Sequence, residues 1–261
     1  MLAPVGNMES LYAAIQNGAD AVYLGGKLFS ARQSAPNFDY EELKAAVTYA
    51  HIRNVKVYVT VNILIADSEM KDALNYVKFL YENDIDGVIV QDLGLAYGIK
   101  DIFPELHLHG STQMTVINRD GVLFLKELGF NRVVLGREVS LEEIKFISST
   151  THIELEEFVH GALCVCYSGQ CLMSSIIGGR SGNRGRCAQP CRMPYTIMKI
   201  GNGSIQEIKM EGKYLLSPKD LNTIDYLDKI INSGVASLKV EGRMKRPEYV
   251  AVIIEKYRKA L

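Results

Sequence analysis

The sequence YEELKAAVTYAHIRNVKVYVTVNI, residues 40–63, contains a helix pattern followed directly by a strand pattern. In residues 40–54, apolar residues recur at three- to four-residue spacing and acidic residues lie near the start, which predicts an amphipathic helix. The run Lys56–Ile63 is rich in β-branched residues and predicts a strand. A further apolar run at Ala21–Gly25 predicts a strand before the helix. This order indicates a βαβ unit of a parallel sheet.

The same alternation continues along the rest of the chain. Residues 68–84 and 141–150 repeat the helix pattern. Eight runs have the composition of strands: Leu2–Pro4, Ala21–Gly25, Lys56–Ile63, Gly87–Gln91, Glu105–His109, Arg132–Leu135, Ile153–Val159 and Ser237–Val240. Eight strands, each followed by a helix, predict an α/β fold of the (β/α)8 TIM-like barrel type.

Length and composition agree with a single barrel domain over residues 1–261. The chain has 261 residues, 48% of them hydrophobic, and barrels of about 250 residues are commonly one domain. No segment approaches the ~20 uninterrupted apolar residues of a membrane span. The N-terminus also has no signal-peptide pattern. We therefore expect a cytoplasmic protein with no membrane partner.

Residues 161–218 interrupt the alternation after the seventh strand. They begin with a cysteine-rich run and end with two alternating runs around Gly201-Asn202-Gly203, which predict a β-hairpin. The barrel pattern resumes with a helix at Lys219–Asn232, the eighth strand, and a helix at Glu248–Leu261. Chemistry in such barrels takes place at the carboxyl ends of the strands. The cysteine-rich run leaves strand seven at that end, so we expect it to cover the barrel mouth.

Four of the five cysteines in the chain have a spacing that suggests a metal site. Cys164, Cys171, Cys187 and Cys191 follow the pattern C-x6-C-x15-C-x3-C in a run rich in glycine and arginine, which indicates a loop. Four thiolates from one loop suit a tetrahedral zinc ion or a 4Fe–4S cluster. Cys166 is left over as a spare thiol.

Two other interpretations of the cysteines are open. Disulfides are disfavoured by the odd cysteine count, the missing signal peptide and the size of the chain. Inert buried thiols would be expected to scatter over strands and helices. The choice of metal is open as well, although the C-x2-C pairs typical of zinc sites are absent from the sequence.

Polar residues follow most of the predicted strands. They are Tyr23, Asn62, Gln91, Asp92, His109, Ser111, Gln113, Arg137, Glu138, His160, Glu241 and Arg243. A polar residue at one strand end is usually a helix cap, but twelve that converge on one rim suggest a site. His160 is the strongest single candidate because it lies four residues before Cys164, although a lone histidine at a strand end is more often structural.

Charge gives no general attraction for nucleic acid. The chain has 29 basic and 30 acidic residues, with a net charge of -1. A local patch must therefore make any contact with a polyanion. Such a patch is predicted in the cysteine-rich run, at Arg180, Arg184, Arg186 and Arg192.

Several enzyme classes lack their motifs in this sequence. There is no G-x-S-x-G elbow and no H-E-x-x-H. The pair His152 and Glu154 mimics the H-x-E of zinc deaminases, but the P-C-x-x-C that should follow is missing. The C-x3-C of Cys187 and Cys191 resembles radical S-adenosylmethionine enzymes, but Pro194 occupies the place of their third cysteine.

The run EEFVHGALCVCYSGQCLMSS, residues 156–175, resembles the signature of the collagenase-like peptidase family of unknown catalytic type. The resemblance extends over essentially the whole chain. Blocks similar to the family are LAPVGNMESLYAAIQNGADAVYLGG, FSARQSAPNF, VIVQDLG, HGSTQM, GGRSGNRGRCAQPCR, LLSPKDL and SLKVEGRMKRPEYVA. Within the family, GGRSGNRGRCAQPCR most resembles the ribosomal RNA branch of the prephenate-dependent RNA hydroxylases, the 5-hydroxycytidine and 5-hydroxyuridine synthases, with the transfer RNA branch as the alternative.

This resemblance implies an oxygen-independent hydroxylase that modifies a pyrimidine base in ribosomal or transfer RNA, with the hydroxyl taken from prephenate. Other members of the family hydroxylate a ubiquinone precursor. The resemblance also implies a 4Fe–4S cluster on Cys164, Cys171, Cys187 and Cys191. We predict that His160, Glu241 and Arg243 are catalytic. We predict that the substrate or anionic donor is bound by Arg180, Arg184, Arg186, Arg192, Gln91 and His109.

Two other functions stay open at this level. The first is a peptidase, as the family name states, and the second is a zinc-stabilised barrel that binds a partner without catalysis. The chain also begins at LAPVG and stops after EKYRKAL, where relatives usually have a few more residues and often a further C-terminal domain. We therefore expect that such a domain is missing here.

Overall fold

A closed barrel of eight parallel strands forms the centre of the computed structural model, which describes residues 1–201 and 203–261. The strands are β1 (Leu2–Pro4), β2 (Ala21–Gly25), β3 (Lys56–Val61), β4 (Gly87–Val90), β5 (Leu108–Gly110), β6 (Arg132–Val134), β7 (Glu154–Gly161), β8 (Ile197–Gly201), β9 (Ser204–Ile208), β10 (Leu221–Asn222) and β11 (Ser237–Val240). In the barrel, β1 to β7 pair in sequence and β11 closes it between β7 and β1. The predicted (β/α)8 barrel is thereby confirmed.

Helices follow the barrel strands as the sequence pattern predicts. They are α1 (Met8–Gln16), α2 (Tyr40–His51), α3 (Met70–Glu82), α4 (Leu93–Ile102), α5 (Arg119–Glu127), α6 (Leu141–Thr151), α7 (Met173–Gly178), α8 (Leu227–Asn232) and α9 (Pro247–Ala260). The starts of α2 and α6 are fixed by capping boxes, in which Asp39 pairs with Glu42 and Ser140 with Glu143. Among the described residues, no helix is long and apolar enough to cross a membrane.

The apolar core has two parts of unequal size. The larger part lies between the sheet and the helices, and it joins strand residues such as Val57 to helix residues such as Leu43 and Leu80. Inside the barrel, the buried apolar residues form a small cluster: Leu2, Ala21, Tyr23, Tyr58 and Ile89. Most of the buried apolar surface therefore lies between the sheet and the helices, and the barrel interior has room for polar groups.

The predicted helix at Lys219–Asn232 is wrong in its first half. The segment first forms the short strand β10, which runs antiparallel to β7. Thr223 then donates its backbone N–H, at 3.2 Å, and its hydroxyl, at 2.8 Å, to the carbonyl of Val159. These bonds hold the segment in an extended form against β7, and the helix begins only at Leu227.

The insertion between β7 and β10 contains the short helix α7 and the predicted β-hairpin. Strands β8 and β9 pair antiparallel, with Ile197 opposite Ile208 and Gly201 opposite Ser204. The predicted turn residue Asn202 lies outside the described residues. Every described residue of the two strands is exposed, so the hairpin projects from the barrel.

Candidate active site at the barrel mouth

A cavity of about 130 Å³ lies at the carboxyl ends of the barrel strands, where barrel enzymes carry their active sites. Its walls come from the strand ends and from the cysteine-rich loop, residues 162–196. Of the residues that line it, four are cations and one is a carboxylate: Arg32, Arg137, Lys239, Arg243 and Glu241. The cavity is thus a mainly cationic site.

Arg243 is the most deeply buried guanidinium of the cavity, with 3% of its surface exposed. Its Nη1 donates to Ser30 Oγ at 2.9 Å and to Thr60 Oγ1 at 2.8 Å. Burial and the like charge of Arg32 lower the pKa of Arg243 to about 10, so it stays charged at neutral pH. The two hydroxyls fix one side of the guanidinium without neutralising it.

Arg137, which follows β6, lines the cavity beside Phe158 of β7. Its guanidinium carbon is 4.1 Å from the centre of the Phe158 ring, a cation–π arrangement. Among the described residues, its buried Nε has no hydrogen-bond partner. A buried N–H without a partner is unfavourable, so a ligand that accepts this hydrogen bond would be stabilised here.

Glu241 is held between a cation and a phenol. Its Oε1 accepts a bond from Arg32 Nη2 at 3.3 Å, and its Oε2 lies 3.3 Å from Tyr23 Oη, whose hydroxyl also donates to the Val240 carbonyl. Burial by itself would raise the pKa of Glu241, but the nearby guanidiniums hold it below its ordinary value. Glu241 is therefore a carboxylate at neutral pH and can accept a proton or a hydrogen bond.

The floor of the cavity continues into a row of alternating charges inside the barrel. Lys239 Nζ lies 2.7 Å from Glu156 Oε1, and Glu156 Oε2 accepts a bond from Arg132 Nη1 at 3.2 Å. Arg132 in turn binds Glu154, at the opposite end of β7, at 2.7 Å. Burial would raise the pKa of Glu156, but Lys239 and Arg132 lower it to about 2.

Three of the four cysteines predicted to bind metal lie at the roof of the same cavity. Cys164, Cys171 and Cys187 line it. Burial raises the pKa of the Cys191 thiol, the charge of Arg192 lowers it, and charges on Cys164, Cys187 and Cys171 raise it. Cys187 Sγ accepts the backbone N–H of Gln189 at 3.4 Å.

The donor set of the four thiols fits a 4Fe–4S cluster, which takes four thiolate ligands. Among the described residues, no three histidine, cysteine or acidic side chains converge closely enough to hold one metal ion. In a 4Fe–4S cluster each thiolate binds a different iron, so its four ligands need not converge on one point. Cys166 lies beside Cys171 and Cys164, whose charges raise its pKa in addition to burial. Like Cys191, it is absent from the cavity lining.

The cysteine-rich loop is fixed to the barrel by hydrogen bonds, and at one of these contacts only glycine fits. Gly185 has a φ of +77°, and a side chain there would collide with the carbonyl of Ser30. Its own carbonyl accepts the N–H of Gln33 at 3.3 Å. Near the other end of the loop, Thr115 Oγ1 donates to the Ser168 carbonyl at 2.7 Å. The thiols are thus held over the strand ends.

His160, predicted as catalytic, lies outside the cavity. Phe158 pairs with Lys239 and His160 with Val240, so β7 has one residue, Val159, more than its neighbour. This bulge turns His160 toward α9, where its Nδ1 is 3.3 Å from Tyr257 Oη. The position gives no support to a catalytic role, and alternation along a regular strand could not have revealed the change.

Gln91 and His109, predicted to bind substrate, are buried and do not line the cavity. Gln91 is 8% exposed and His109 is 1% exposed. The His109 ring lies 4.5 Å from the Tyr58 ring, and burial lowers its pKa to about 3, so it is neutral. Both residues can affect the site only through the residues that line it.

The four predicted arginines divide into two pairs, and none of them lines the cavity. Arg184 binds Glu69 at 2.6 and 2.7 Å, and its bonds lower the pKa of that carboxyl to about 2. Arg192 donates to Ser217 Oγ at 2.6 Å and to the carbonyls of Pro218 and Leu163 at 2.7 Å. Both fasten the loop. Arg180 and Arg186 are exposed and free to meet a partner from solution.

Sequence reasoning missed Arg32 and Lys239. Arg32 lies in the loop after β2, beyond any strand end, and its place beside Glu241 comes from tertiary structure. Lys239 could have been found from the sequence, because it lies within an apolar strand pattern, and a buried lysine needs an acidic partner. Its partner, Glu156, lies on the neighbouring strand β7 opposite Ser237, 83 residues earlier in the chain.

Comparison with known proteins identifies relatives whose names refer to RNA hydroxylation. A "tRNA hydroxylation protein P1" of Bacillus subtilis (strain 168) is 39% identical over 100% of this chain and 62% of its own length. A 23S rRNA 5-hydroxycytidine synthase of Escherichia coli (strain K12) is 40% identical over 100% of this chain and 39% of its own length. A protein of Porphyromonas gingivalis named collagenase is 35% identical over 100% and 65%. The chain spans less than two thirds of the length of each.

Solved structures agree on the fold alone. A U32 peptidase has a TM-score of 0.51 at 18% identity, over 62% of this chain and 68% of its own. The YdjI aldolase of Escherichia coli K12 has a TM-score of 0.51 at 9% identity, over 100% and 87%. The family model described as Peptidase family U32 matches residues 6–261. The chain therefore belongs to peptidase family U32.

Proposed function

We propose that this chain is the catalytic barrel of an iron–sulfur-dependent, oxygen-independent hydroxylase that modifies a pyrimidine base of ribosomal or transfer RNA, with prephenate as hydroxyl donor. One observation carries the proposal: three of the four predicted cluster ligands line the same cavity as four cations and Glu241. The RNA-hydroxylation names of relatives up to 40% identical support the choice of substrate.

The cations of the cavity suit a small donor with more than one negative charge. Prephenate carries two carboxylates, and arginine binds carboxylates through paired N–H groups. Arg243 is held on one side by Ser30 and Thr60, which leaves its other N–H groups for a ligand. Arg137 offers its unpartnered Nε beside Phe158, whose ring can pack against the six-membered ring of the donor.

The cluster, when bound, would supply electron transfer or a Lewis-acid site at the roof of the cavity, held by Cys164, Cys171, Cys187 and Cys191. Glu241 would accept a proton or orient a hydroxyl, because it is ionised and lies between Arg32 and Tyr23. Arg243 would bind and orient the donor. We assign His160 to holding the end of β7 against α9, since its ring meets Tyr257 there.

RNA would approach the outer face of the cysteine-rich loop. Arg180 and Arg186 are exposed there, whereas Arg184 and Arg192 are occupied by protein groups. Exposed arginines bind phosphates without reading sequence. A target base would then have to leave its stack to reach the cavity, as in other enzymes that act on bases.

Anaerobic purification with an absorption spectrum and iron and sulfide analysis tests the cofactor. We expect a brown protein, complete loss of iron in Cys171→Ser or Cys191→Ser, and retained iron in the matched control Cys166→Ser, because a hydroxyl does not replace a thiolate on iron. A colourless protein with stoichiometric zinc would instead favour a structural metal. Full iron content in Cys191→Ser would point to Cys166 as the fourth ligand.

A peptidase is the second candidate, because one relative is named a collagenase. Among the described residues, no histidine lines the cavity, so a nucleophile there would have no histidine as base. We expect purified anaerobic protein to leave gelatin uncut. Cleavage of gelatin that disappears with a single substitution in the cavity, such as Glu241→Gln, would show instead that the protein is a peptidase.

A further inference from the structure

The barrel interior contains a chain of ion pairs that ends in the cavity. Glu154, Arg132, Glu156 and Lys239 alternate in charge along β7 and its two neighbouring strands. The side chain of Glu154 is 56% exposed, that of Arg132 13%, and those of Glu156 and Lys239 0% and 5%. The row thus runs from solvent at one end of the barrel to the floor of the cavity at the other.

Such a row is an unusual filling for a barrel. The interior of this fold is ordinarily packed with branched apolar side chains. Removing charges from water is unfavourable, and a buried ion pair often contributes less to stability than apolar residues of the same volume. Packing alone therefore does not explain the ion pairs, and a role for the terminal Lys239 in the cavity does.

The ammonium of Lys239 has donors to spare. A lysine carries three N–H groups, and in the described part of the chain the hydrogen bond from Lys239 goes to Glu156. The ammonium lies 4.4 Å from the centre of the Tyr23 ring and 5.6 Å from that of Phe158, which form the walls above it. Glu156 is shared with Arg132, so it neutralises Lys239 only in part.

Lys239 is also separate from the cysteines. The pKa of Arg32 is raised first by Glu241, and the charge of Cys187 raises it as well. Burial lowers the pKa of Lys239, and the charges that act on it are those of Glu156, Glu241 and Arg132. Arg32 lies in the loop after β2, whereas Lys239 lies within β11, opposite Phe158 and two residues before Glu241. Lys239 is therefore deeper in the barrel than the residues at the mouth.

We propose that Lys239 binds one carboxylate of a dicarboxylate ligand at the cavity floor, while the arginines at the mouth bind the other, so that the cavity selects dianions over monoanions. Glu156 is the positioning residue that holds the ammonium in place. This inference rests on the proposed function for the choice of ligand, and it adds which residue distinguishes two carboxylates from one.

The test compares binding of prephenate with binding of phenylpyruvate, which has a single carboxylate, by calorimetry on the anaerobic, cluster-loaded chain. We expect the parent to bind prephenate more tightly. Lys239→Met should lose about 10- to 100-fold in affinity for prephenate, the range for a hydrogen bond to a charged group, and change little toward phenylpyruvate. The matched control is Lys245→Met, a half-exposed lysine outside the cavity.

Other outcomes separate the alternatives. Equal loss for both acids, or an unchanged preference for prephenate, would overturn the proposal and leave Lys239 as scaffold. Should Lys239→Met not fold, Lys239→Met combined with Glu156→Gln removes both charges and leaves Arg132 paired with Glu154. If the parent binds neither acid, the proposed donor is wrong, and malonate against acetate then tests Lys239 by the same comparison.

Discussion

At the scale of single residues, Glu157 should make stability depend on pH. Its side chain points away from the barrel interior occupied by its neighbour Glu156, and it is 8% exposed with an unpartnered Oε2 among the described residues. Burial raises the pKa of Glu157 to about 8, although Arg137 opposes the shift and the charges of Glu138 and Glu156 add to it. A neutral carboxyl group is thus preferred in the folded state.

The sign of the effect follows from linkage. The folded pKa lies above the unfolded value, so the folded state loses stability as pH rises from about 4.5 through about 8. We expect Glu157→Gln to match the parent near pH 5 and to exceed it at pH 8 by roughly 1–4 kcal/mol. Thermal unfolding across this range measures it, with Glu127→Gln, an exposed carboxyl group on α5, as control. Parallel profiles for parent and Glu157→Gln would contradict the assignment.

Arg180 and Arg186 are the residues through which salt should act on RNA binding. Replacing both by Gln should reduce the magnitude of the slope of log affinity against log salt concentration by about 1 per arginine. Each arginine that binds a phosphate displaces a counterion from the RNA, and the variant lacks these contacts. Filter binding of a transfer RNA transcript at several salt concentrations measures the slope. The control is Lys256→Gln with Lys259→Gln, two exposed lysines on α9. An unchanged slope in the arginine variant would move the RNA surface elsewhere.

Residue by residue, the sequence identified the cavity only in part. Glu241, Arg243 and three cysteines were found as strand-end or loop residues, and all of them line the cavity. Their chemical roles remain predictions. Arg184 was predicted to bind substrate, but it forms an ion pair with Glu69. The sequence pattern does not reveal which carboxylate lies near an arginine in the folded chain.

At the scale of elements, the periodicity predicted all eight barrel strands and most of the helices. It failed where a tertiary hydrogen bond competes with local preference. The segment from Lys219 became a strand because the carbonyl of Val159 accepts from Thr223 and Tyr257. The bulge at Val159 likewise depends on the partner strand, and no local pattern predicts it.

The hairpin of β8 and β9 should be dispensable for the barrel. Its described residues are exposed, and a two-stranded hairpin is marginally stable on its own. At the base of the hairpin, the backbone N–H of Tyr195 donates to the Lys213 carbonyl at 2.8 Å. Replacing residues 197–208 by Gly-Gly-Ser should leave the melting temperature within about 2 °C of the parent.

Iron content and calorimetry on the shortened chain test this expectation. Retained iron with an unchanged melting temperature would assign the hairpin to contacts outside the barrel. Loss of iron would mean instead that the hairpin supports the cysteine-rich loop.

At the scale of the whole molecule, the barrel and the cysteine-rich loop should differ in how far they depend on the proposed cluster. The loop has few buried residues, whereas the barrel has a large apolar core. Removing iron with a chelator should therefore leave the far-ultraviolet circular dichroism unchanged. It should speed tryptic cleavage after Arg180 and Arg186 by about tenfold or more, because metal binding stabilises the segment that supplies the ligands.

Mass spectrometry of the fragments reports the cleavage sites. Cleavage after Lys209, exposed beside the hairpin, should not change and provides the internal standard. Equal rates with and without iron would mean that the bonds of Arg184, Arg192 and Gly185 hold the loop by themselves. Complete unfolding on chelation would show that the barrel and the loop form one cooperative unit.

The larger apolar core lies between the sheet and the helices, and this placement has a consequence for the evolution of related sequences. The layer that keeps the chain folded joins strands to helices, and the residues that meet a ligand project into the lumen. Residues that face the barrel interior can therefore be substituted during evolution to fit a different substrate, while the residues between the sheet and the helices stay the same. Proteins of very different stated activity can share such a scaffold, because foldability and specificity are inherited through separate sets of side chains.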